Sequence, residues 1–458
     1  MDLFGTAGIR GDARERVTPR LALAVGRAVG EDAESVVVGR DGRETGAALT
    51  AAVEAGLESA GATVRRAGVV PTPALAFASK TRHGVQVTAS HNPPRDNGLK
   101  LFVDGEEFDA EAEARIADGV EARIADGVEA ERPPAAWDEW GDPTEIDPLP
   151  AYRRSVADYA REHGPAPEGL TVVVDCGNGV GGLATPQVLR LLGARVIALN
   201  ANVDGHFPGR PSKPTPETLA DLRAFVADCE GPVVGIGHDG DADRLVVVDD
   251  AGEVVHEDTI LAVLAEHFVR ASDVDDPVVV TTPNASGRID ERIDAASGRV
   301  ERVRLGALHE GIAAARAGGG DVVFAGEPWK HVHPGLGPWI DGVASAAVLA
   351  VLIADRGLAD LRAPVSERPY EKVAVDCPDD AKAEAMALVA DRLPCRYPEA
   401  SVGTDHGVRL DFEGGAWTLV RPSGTEPYLR VYAESEDVES LVAGVVEVVG
   451  GAVEDASA

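Results

Sequence analysis

The sequence predicts an α/β protein built as several domains in series, on three observations. At 458 residues the chain exceeds what one hydrophobic core serves, and three or four domains is the natural expectation. Valine-rich runs open three stretches of roughly domain size: Val36-Val37-Val38, Val172-Val173-Val174 and Val278-Val279-Val280. In the first stretch strand-like and helix-like runs alternate, the pattern of a parallel sheet covered by helices.

The first domain, 1–149, opens with the glycine-rich Phe4-Gly5-Thr6-Ala7-Gly8-Ile9-Arg10-Gly11, which carries Arg10. Pro19 to Gly30 reads as a helix, Ser35 to Gly39 as a buried strand and Thr45 to Ala60 as a helix, with a strand around Val64. The alternating run Gly84-Val85-Gln86-Val87 is a short strand. Asn92-Pro93-Pro94 stops strand and helix alike. Between them, Thr88-Ala89-Ser90-His91-Asn92-Pro93 holds a hydroxyl at a strand end on a stiff loop, where catalytic groups are often found. Ser, Asn and Pro are also ordinary turn residues, so the loop alone decides nothing.

From Glu113 to Val128 the octet Glu-Ala-Arg-Ile-Ala-Asp-Gly-Val occurs twice in tandem. Eight residues advance a helix by about 2.2 turns, so the copies cannot present quite the same face. The duplication is expected to be a tolerated surface insertion, and Pro133 to Pro150 a linker. Thr171 to Asp175 is an early strand of the second domain, 150–250. Pro277 to Val280 does the same for the third, 251–364. The Pro/Arg-rich stretch Arg362 to Pro369 leads into the last, 365–458, which has strand signals at Trp417–Arg421 and Tyr428–Ala433 and a terminal helix from Val438.

The chain carries 43 Lys+Arg against 77 Asp+Glu, a net charge of -34. That argues against nucleic acid or an anionic membrane as main partner, since both are polyanions. A small phosphorylated ligand in a local basic pocket stays open. There are only six lysines: Lys80, Lys100, Lys213, Lys330, Lys372 and Lys382. Abundant acid, scarce lysine and 4% aromatic residues point to a halophilic protein, soluble in concentrated salt. Cys176, Cys229, Cys377 and Cys395 show no CxxC spacing and read as small buried hydrophobes in a reducing compartment. The N-terminus has no leader signature and no apolar run approaches membrane-spanning length, so a cytoplasmic protein is expected.

Asp239-Gly240-Asp241-Ala242-Asp243-Arg244, behind the strand-like Pro232 to Ile236, is the strongest local signal. In a flat strand its first and third carboxylates would lie roughly 13 Å apart, too far for one ion. Gly240 is expected to let the backbone curl so that all three converge on a hard cation such as Mg²⁺. An EF-hand is excluded, because its sixth position would be Arg244 and its twelfth Asp250. Arg421-Pro422-Ser423-Gly424-Thr425 sits between two strands and offers the parts of a phosphate cradle: a guanidinium, two hydroxyls and a glycine amide. A hairpin turn would look the same.

Gly177-Asn178-Gly179-Val180-Gly181-Gly182 fits the dinucleotide fingerprint after a strand. The following strand ends on Asn200 where an acid is needed, so a tight strand-to-helix turn is the better reading. Gly326-Glu327-Pro328-Trp329-Lys330-His331 gathers polar groups such as sugar hydroxyls want, and a plain surface loop would carry the same residues. Serine, metal loop and cradle together point to phosphoryl transfer.

At this point the chain resembles, nearly end to end, the α-D-phosphohexomutase family. The Ser90 loop looks like its phosphoserine loop, Asp239 to Arg244 like its Mg²⁺ loop, Gly326-Glu327 like the start of its sugar loop, and Arg421 to Thr425 like its phosphate loop. The resemblance implies four domains around a central cleft: three similar α/β domains with mixed sheets and a smaller α+β C-terminal domain. It implies Mg²⁺ held by Ser90, Asp239, Asp241 and Asp243, with catalytic roles for Ser90, His91, Lys100, Arg10 and Arg244. Lys100 would be the general acid/base; arginine could not release a proton there near neutral pH. Glu327 and His331 would bind the sugar, and Arg421, Ser423, Gly424 and Thr425 its phosphate; Lys330 is added to the sugar site from its place in the same polar loop.

The implied reaction passes a phosphoryl group from Ser90 to a hexose phosphate, giving a bisphosphorylated sugar, and takes the other phosphate back. The Phe4 to Gly11 opening and the Arg421 to Pro427 loop are most similar to phosphoglucosamine mutases, which implies glucosamine phosphate; glucose or mannose phosphate is the alternative. The sugar loop departs from many members, with Trp329-Lys330-His331 where they have Ser-Gly-His. Gly306 is followed by Ala307 where relatives often have His or Asp. A monomer or homodimer is expected, with a small phosphosugar as partner.

Overall fold

The computed structural model describes residues 3–5, 8–125, 133–423 and 426–457. Two compact units divide the chain: Met1–Ile260 with Val323–Ala325 and Trp329–Leu361, and Leu261–Val322 with Gly326–Pro328 and Arg362–Ala458.

The first unit holds two sheets. In the larger, the strands Ile9–Asp12, Asp96–Val103, His83–Val87, Ser35–Arg40, Thr63–Val69 and Thr144–Glu145 lie side by side in that order. Ser35–Arg40 runs parallel to both its neighbours. Asp96–Val103 runs antiparallel to both of its own, so the sheet is mixed. The expected helices are present as Pro19–Gly30 and Gly46–Ser59. The first starts at Pro19 because Thr18 accepts from Leu21 N and proline suits the opening position.

Two expectations change here. The first copy of the duplicated octet lies in the helix Ala110–Ala125. Its Ile116 and Val120, four residues apart on one face, are 3% and 1% exposed and belong to the core. It is therefore a core-bearing helix, not a surface insertion. The second copy starts in that helix, and its last residues, 126–128, lie outside the described residues. The supposed linker contributes the edge strand Thr144–Glu145, parallel to Arg65 and Arg66.

The second sheet runs Val254–Val255, Val246–Val248, Val233–Gly237, Thr171–Asp175, Arg195–Leu199. Thr171–Asp175 is parallel to both neighbours and buried along its whole length, which explains its unbroken valines. The helix Gly342–Arg356 is buried over its first twelve residues. Asp341 caps it, accepting from Ala344 N at 2.8 Å, Tyr152 Oη at 2.8 Å and Trp339 Nε1 at 2.9 Å. Burial nevertheless pushes the Asp341 carboxyl up to about 6.

In the second unit Pro277–Thr281 and Arg299–Arg302 pair in parallel. The C-terminal part is a five-stranded sheet, Tyr370–Asp376, Tyr428–Glu434, Trp417–Pro422, Val408–Asp411, Ser401–Gly403, with the helices Lys382–Arg396 and Val438–Ala456 packed on it. Among the described residues, no helix is long and apolar enough to cross a membrane.

Candidate active site

Two loops of the first unit meet. The Ser90 loop follows His83–Val87 and the aspartate loop follows Val233–Gly237. Each strand has a parallel neighbour, so both loops leave carboxyl ends of strands, where open α/β sheets take ligands. Ser90 Oγ donates to Asp239 Oδ2 at 2.6 Å. Lys100 Nζ, on the adjoining strand, donates to Asp243 Oδ2 at 2.6 Å and Asp241 Oδ2 at 3.1 Å. Thr72 Oγ1 donates to Asp241 Oδ2 at 2.6 Å.

The aspartate loop curls, but not at Gly240. The left-handed residue is Ala242, at φ +62. Gly240 serves close approach instead: a Cβ there would stand 2.6 Å from Ser90 O, so any side chain would drive the two loops apart. The glycine fingerprint packs behind the same turn. Val180 N donates to Gly240 O at 3.0 Å, and a Cβ on Gly179 would stand 2.6 Å from that oxygen. This is the tight turn expected, and it props the aspartates.

Asp239, Asp241 and Asp243 are all buried, and each offers a carboxylate oxygen within 4.8 Å of the others. Asp241 Oδ1 and Asp243 Oδ1 are buried with no hydrogen-bond partner. Three buried carboxylates, two of them with a spare oxygen, suit a hard divalent cation such as Mg²⁺. Burial, then Asp243 and Asp241, push the Asp239 carboxyl up to about 8. Burial also opposes charge on Asp243, but Lys100, Lys330 and Arg244 outweigh it and hold that carboxyl well below the usual range. Burial opposes the Lys100 ammonium too; Asp241 and Asp243 hold it above the ordinary lysine value.

One consequence is measurable. Below about pH 8 a cation must displace the proton on the aspartate cluster. Apparent Mg²⁺ affinity should therefore rise with pH, by up to roughly tenfold per unit, and flatten above that value. Calorimetric titration in buffers of different ionisation enthalpy would show the proton released. A pH-independent affinity with no proton release would contradict the arrangement.

The other expected groups of this unit gather nearby. Arg244 Nε lies 3.7 Å from Asp239 Oδ2 and 3.9 Å from Asp243 Oδ1. Arg10 pairs across the sheet with Gly98, and its Nε and Nη2 are buried without hydrogen-bond partners. His91 Nδ1 is 3.4 Å from Ser90 Oγ. Burial, then Arg244 and Arg10, press its pKa down to about 2, so His91 stays neutral. Lys330 forms a backbone bridge with Arg244, which ties it to the aspartate loop.

His331 is 1% exposed and built into the interior. Ser345 Oγ donates to Asp341 O at 2.9 Å, so it accepts from both His331 Nδ1 at 3.0 Å and His333 Nε2 at 2.9 Å. Burial pushes His331 down to about 3. Only its Nε2, which has no hydrogen-bond partner, is left for a ligand.

In the second unit Glu327 Oε1 accepts from Gly306 N at 2.6 Å, linking the expected sugar-loop acid to the turn before Ala307. Arg421 Nη2 donates to Tyr432 Oη at 2.9 Å, and its Nε is free of partners. Ser423 is buried; Gly424 and Thr425 lie outside the described residues. Lys382 Nζ donates to the carbonyls of Ser423 at 2.8 Å and Glu426 at 2.6 Å. Arg430 stands directly across from Arg421, a like-charge pairing that Glu426 offsets in part, its Oε2 lying 3.9 Å from Arg430 Nη2.

Sequence reading missed Arg430, Lys382, Thr72, Arg210 and Arg43. Arg210 Nη2 donates to His238 O at 2.6 Å and its Nε to Asp175 Oδ2 at 2.7 Å, bracing the base of the aspartate loop. Arg43 braces the serine loop. The only trace either left was an aspartate at the end of a valine-rich strand, Asp41 and Asp175.

Family models for phosphoglucomutase/phosphomannomutase match this chain over residues 1–125 (α/β/α domain I), 151–252 (α/β/α domain II) and 373–450 (C-terminal domain). The chain belongs to the phosphoglucomutase/phosphomannomutase family. As a member of these phosphohexomutases it carries the Ser90 loop and Lys100 in the domain I match, the three aspartates in the domain II match, and Arg421 and Ser423 in the C-terminal one. A protein from Thermococcus kodakarensis named phosphopentomutase is 41% identical over 442 residues, 95% of this chain and 94% of that one. One from Methanopyrus kandleri named "Probable phosphoglucosamine mutase" is 40% identical over 445 residues, again 95% and 94%. Among solved structures, a phosphoglucomutase/phosphomannomutase family protein from Burkholderia thailandensis superposes with TM-score 0.84 at 24% identity, covering 100% of this chain and 98% of that one. The N-acetylphosphoglucosamine mutase of Aspergillus fumigatus, solved with GlcNAc-6P and magnesium, gives 0.64 at 19%, covering 100% and 96%. The fold is thus the phosphohexomutase fold.

Proposed function

We propose that this phosphohexomutase interconverts glucosamine 6-phosphate and glucosamine 1-phosphate through phosphorylated Ser90 and a bisphosphorylated sugar. The observation that carries the reading is Ser90 Oγ at 2.6 Å from Asp239, inside a buried cluster of three carboxylates and one ammonium. Ser90 gives its phosphoryl group to the free hydroxyl of the sugar phosphate. After the intermediate turns over, Ser90 Oγ receives the other phosphate, so each cycle restores the phosphoserine. Asp239, Asp241 and Asp243 would hold Mg²⁺, which would neutralise phosphoryl charge and weaken the aspartates' grip on the Lys100 proton. Lys100 then serves as the proton carrier, and His91, neutral, as a hydrogen-bond partner of the serine. Arg10 and Arg244 hold phosphoryl oxygens. Glu327, Lys330 and His331 are assigned to the sugar, and Arg421, Ser423, Gly424 and Thr425 to its distal phosphate. The four-domain division at 149, 250 and 364, a cytoplasmic location and a monomeric or dimeric state belong to the same reading.

A pentose phosphate is the second reading, favoured by the name of the T. kodakarensis relative; glucose and mannose phosphates are further alternatives. Phosphorus NMR with Mg²⁺ should separate these readings when glucosamine, glucose and mannose 6-phosphates and ribose 5-phosphate are offered in turn. Glucosamine 6-phosphate should be converted fastest, and a clear preference for any other would replace that assignment. The assay belongs in concentrated salt. At a net charge of -34 self-repulsion is large and salt screens it. Melting temperature should climb steadily between low and molar KCl, whereas full stability and turnover without added salt would refute the halophilic reading.

A further inference from the structure

Arg43 is charged and 0% exposed, and every nitrogen of its guanidinium is engaged. Nε donates to Asp41 Oδ2 at 3.0 Å. Nη1 donates to the carbonyls of Pro93 at 2.6 Å and Asp96 at 2.9 Å. Nη2 donates to those of Ser90 at 2.9 Å and Asn92 at 2.8 Å. Of the five acceptors, Asp96 O opens the following strand, and three are main-chain oxygens of the loop that carries the serine, on Ser90, Asn92 and Pro93. That loop has left its sheet and has no ladder to satisfy them, so a planar fork does it.

Asp41 completes the hold. Its Oδ2 accepts from Thr88 Oγ1 at 2.7 Å, and Thr88 Oγ1 accepts from Ser90 N at 2.9 Å. Both polar backbone groups of Ser90 therefore lead back to Arg43. Ser90 itself lies at φ +52, a left-handed conformation that a residue with a side chain keeps only where its surroundings over-determine it. The Phe207 ring sits 5.1 Å from the guanidinium and also faces Gly240, so the clamp is backed by the same packing that meets the aspartate loop.

We infer that Arg43 is the positioning residue of the phosphoryl-transfer site. It fixes the Ser90 peptide in its left-handed turn and so aims Oγ at Asp239. It touches no reacting atom. The inference rests on the phosphoserine reading.

Arg43→Lys keeps the charge and loses the fork. Its kcat should fall roughly 10- to 100-fold, the effect of misplacing a reacting group by about 1 Å. KM for the sugar phosphate and Mg²⁺ affinity should stay within about threefold of the parent. In Arg43→Ala, millimolar guanidinium chloride should restore part of kcat. Thr88→Val cuts only the branch to Ser90 N, and should lower kcat roughly tenfold at unchanged KM. Rates are normalised to folded protein by near-ultraviolet circular dichroism, so a merely structural role would leave kcat unmoved. Variants holding kcat within about threefold of the parent would overturn the positioning role; if the Arg43 variants do not fold, Thr88→Val decides it. A parent that converts no phosphosugar overturns the phosphoserine reading and this role with it, whereas an active parent with unaffected variants overturns this role alone.

Discussion

Ser90→Ala should lose mutase turnover by roughly 10⁴-fold or more, because the group that carries the phosphoryl between half-reactions is gone. Intact mass spectrometry of freshly purified parent should show a phosphoryl adduct, and the variant none. Stability should change far less. The lost hydroxyl donates to Asp239 at 2.6 Å, a bond worth about 0.5–1.5 kcal/mol to a neutral carboxyl and about 1.5–3 kcal/mol to a charged one. Against that, the Asp239 carboxyl is already pushed up by burial and by its neighbours, so it can take a proton in place of the lost donor. A folded Ser90→Ala protein with full turnover would rule out the phosphoserine mechanism.

Lys100→Ala should be the most destabilising single change at the site. Lys100 is 2% exposed and is the nearest cation to Asp241 and Asp243, which are 0% and 1% exposed. Removing it strands buried carboxylates, at a cost of about 3–5 kcal/mol. Mg²⁺ supplies the missing charge, so it should raise the melting temperature of this variant more than that of the parent. Equal shifts would mean that charge pairing does not explain the loss. Lys100→Arg separates the two jobs: the cation remains, the fold should persist, and kcat should drop roughly 10²- to 10⁴-fold because a guanidinium does not exchange its proton near neutral pH.

Much of the fold was readable because its signals are local. Proline and threonine mark the start of the helix at Pro19, and unbroken valines mark strands buried on both faces. Ser90 and the three aspartates were readable for the same reason: their chemistry sits within a few consecutive residues. The residues that hold them in place were not. Arg43 reaches Ser90 across 47 positions, Thr72 reaches Asp241 across 169, and Arg210 reaches His238 across 28. A lone arginine in a strand-end loop looks like any solvated arginine until the chain is folded around it. Gly240 shows the opposite failing. The residue was singled out correctly, but for backbone freedom, when its missing side chain matters for what lies against it. The tandem octet misled because duplication suggests dispensability, while its first copy carries Ile116 and Val120 into the core.

The pairing of Lys100 with Asp241 and Asp243 also constrains the order in which the chain can be completed. The lysine belongs to a strand finished at Val103, yet its partners lie 141 and 143 positions later. During synthesis the first sheet can close around that ammonium long before an aspartate exists to meet it. An unpaired buried ammonium gives up its proton or keeps its strand from closing. The nascent first sheet should therefore stay loosely latched at Asp96–Val103 until the aspartate loop emerges. Hydrogen exchange on ribosome-bound chains ending before and after Asp243 would show the strand's amides becoming protected only in the longer one.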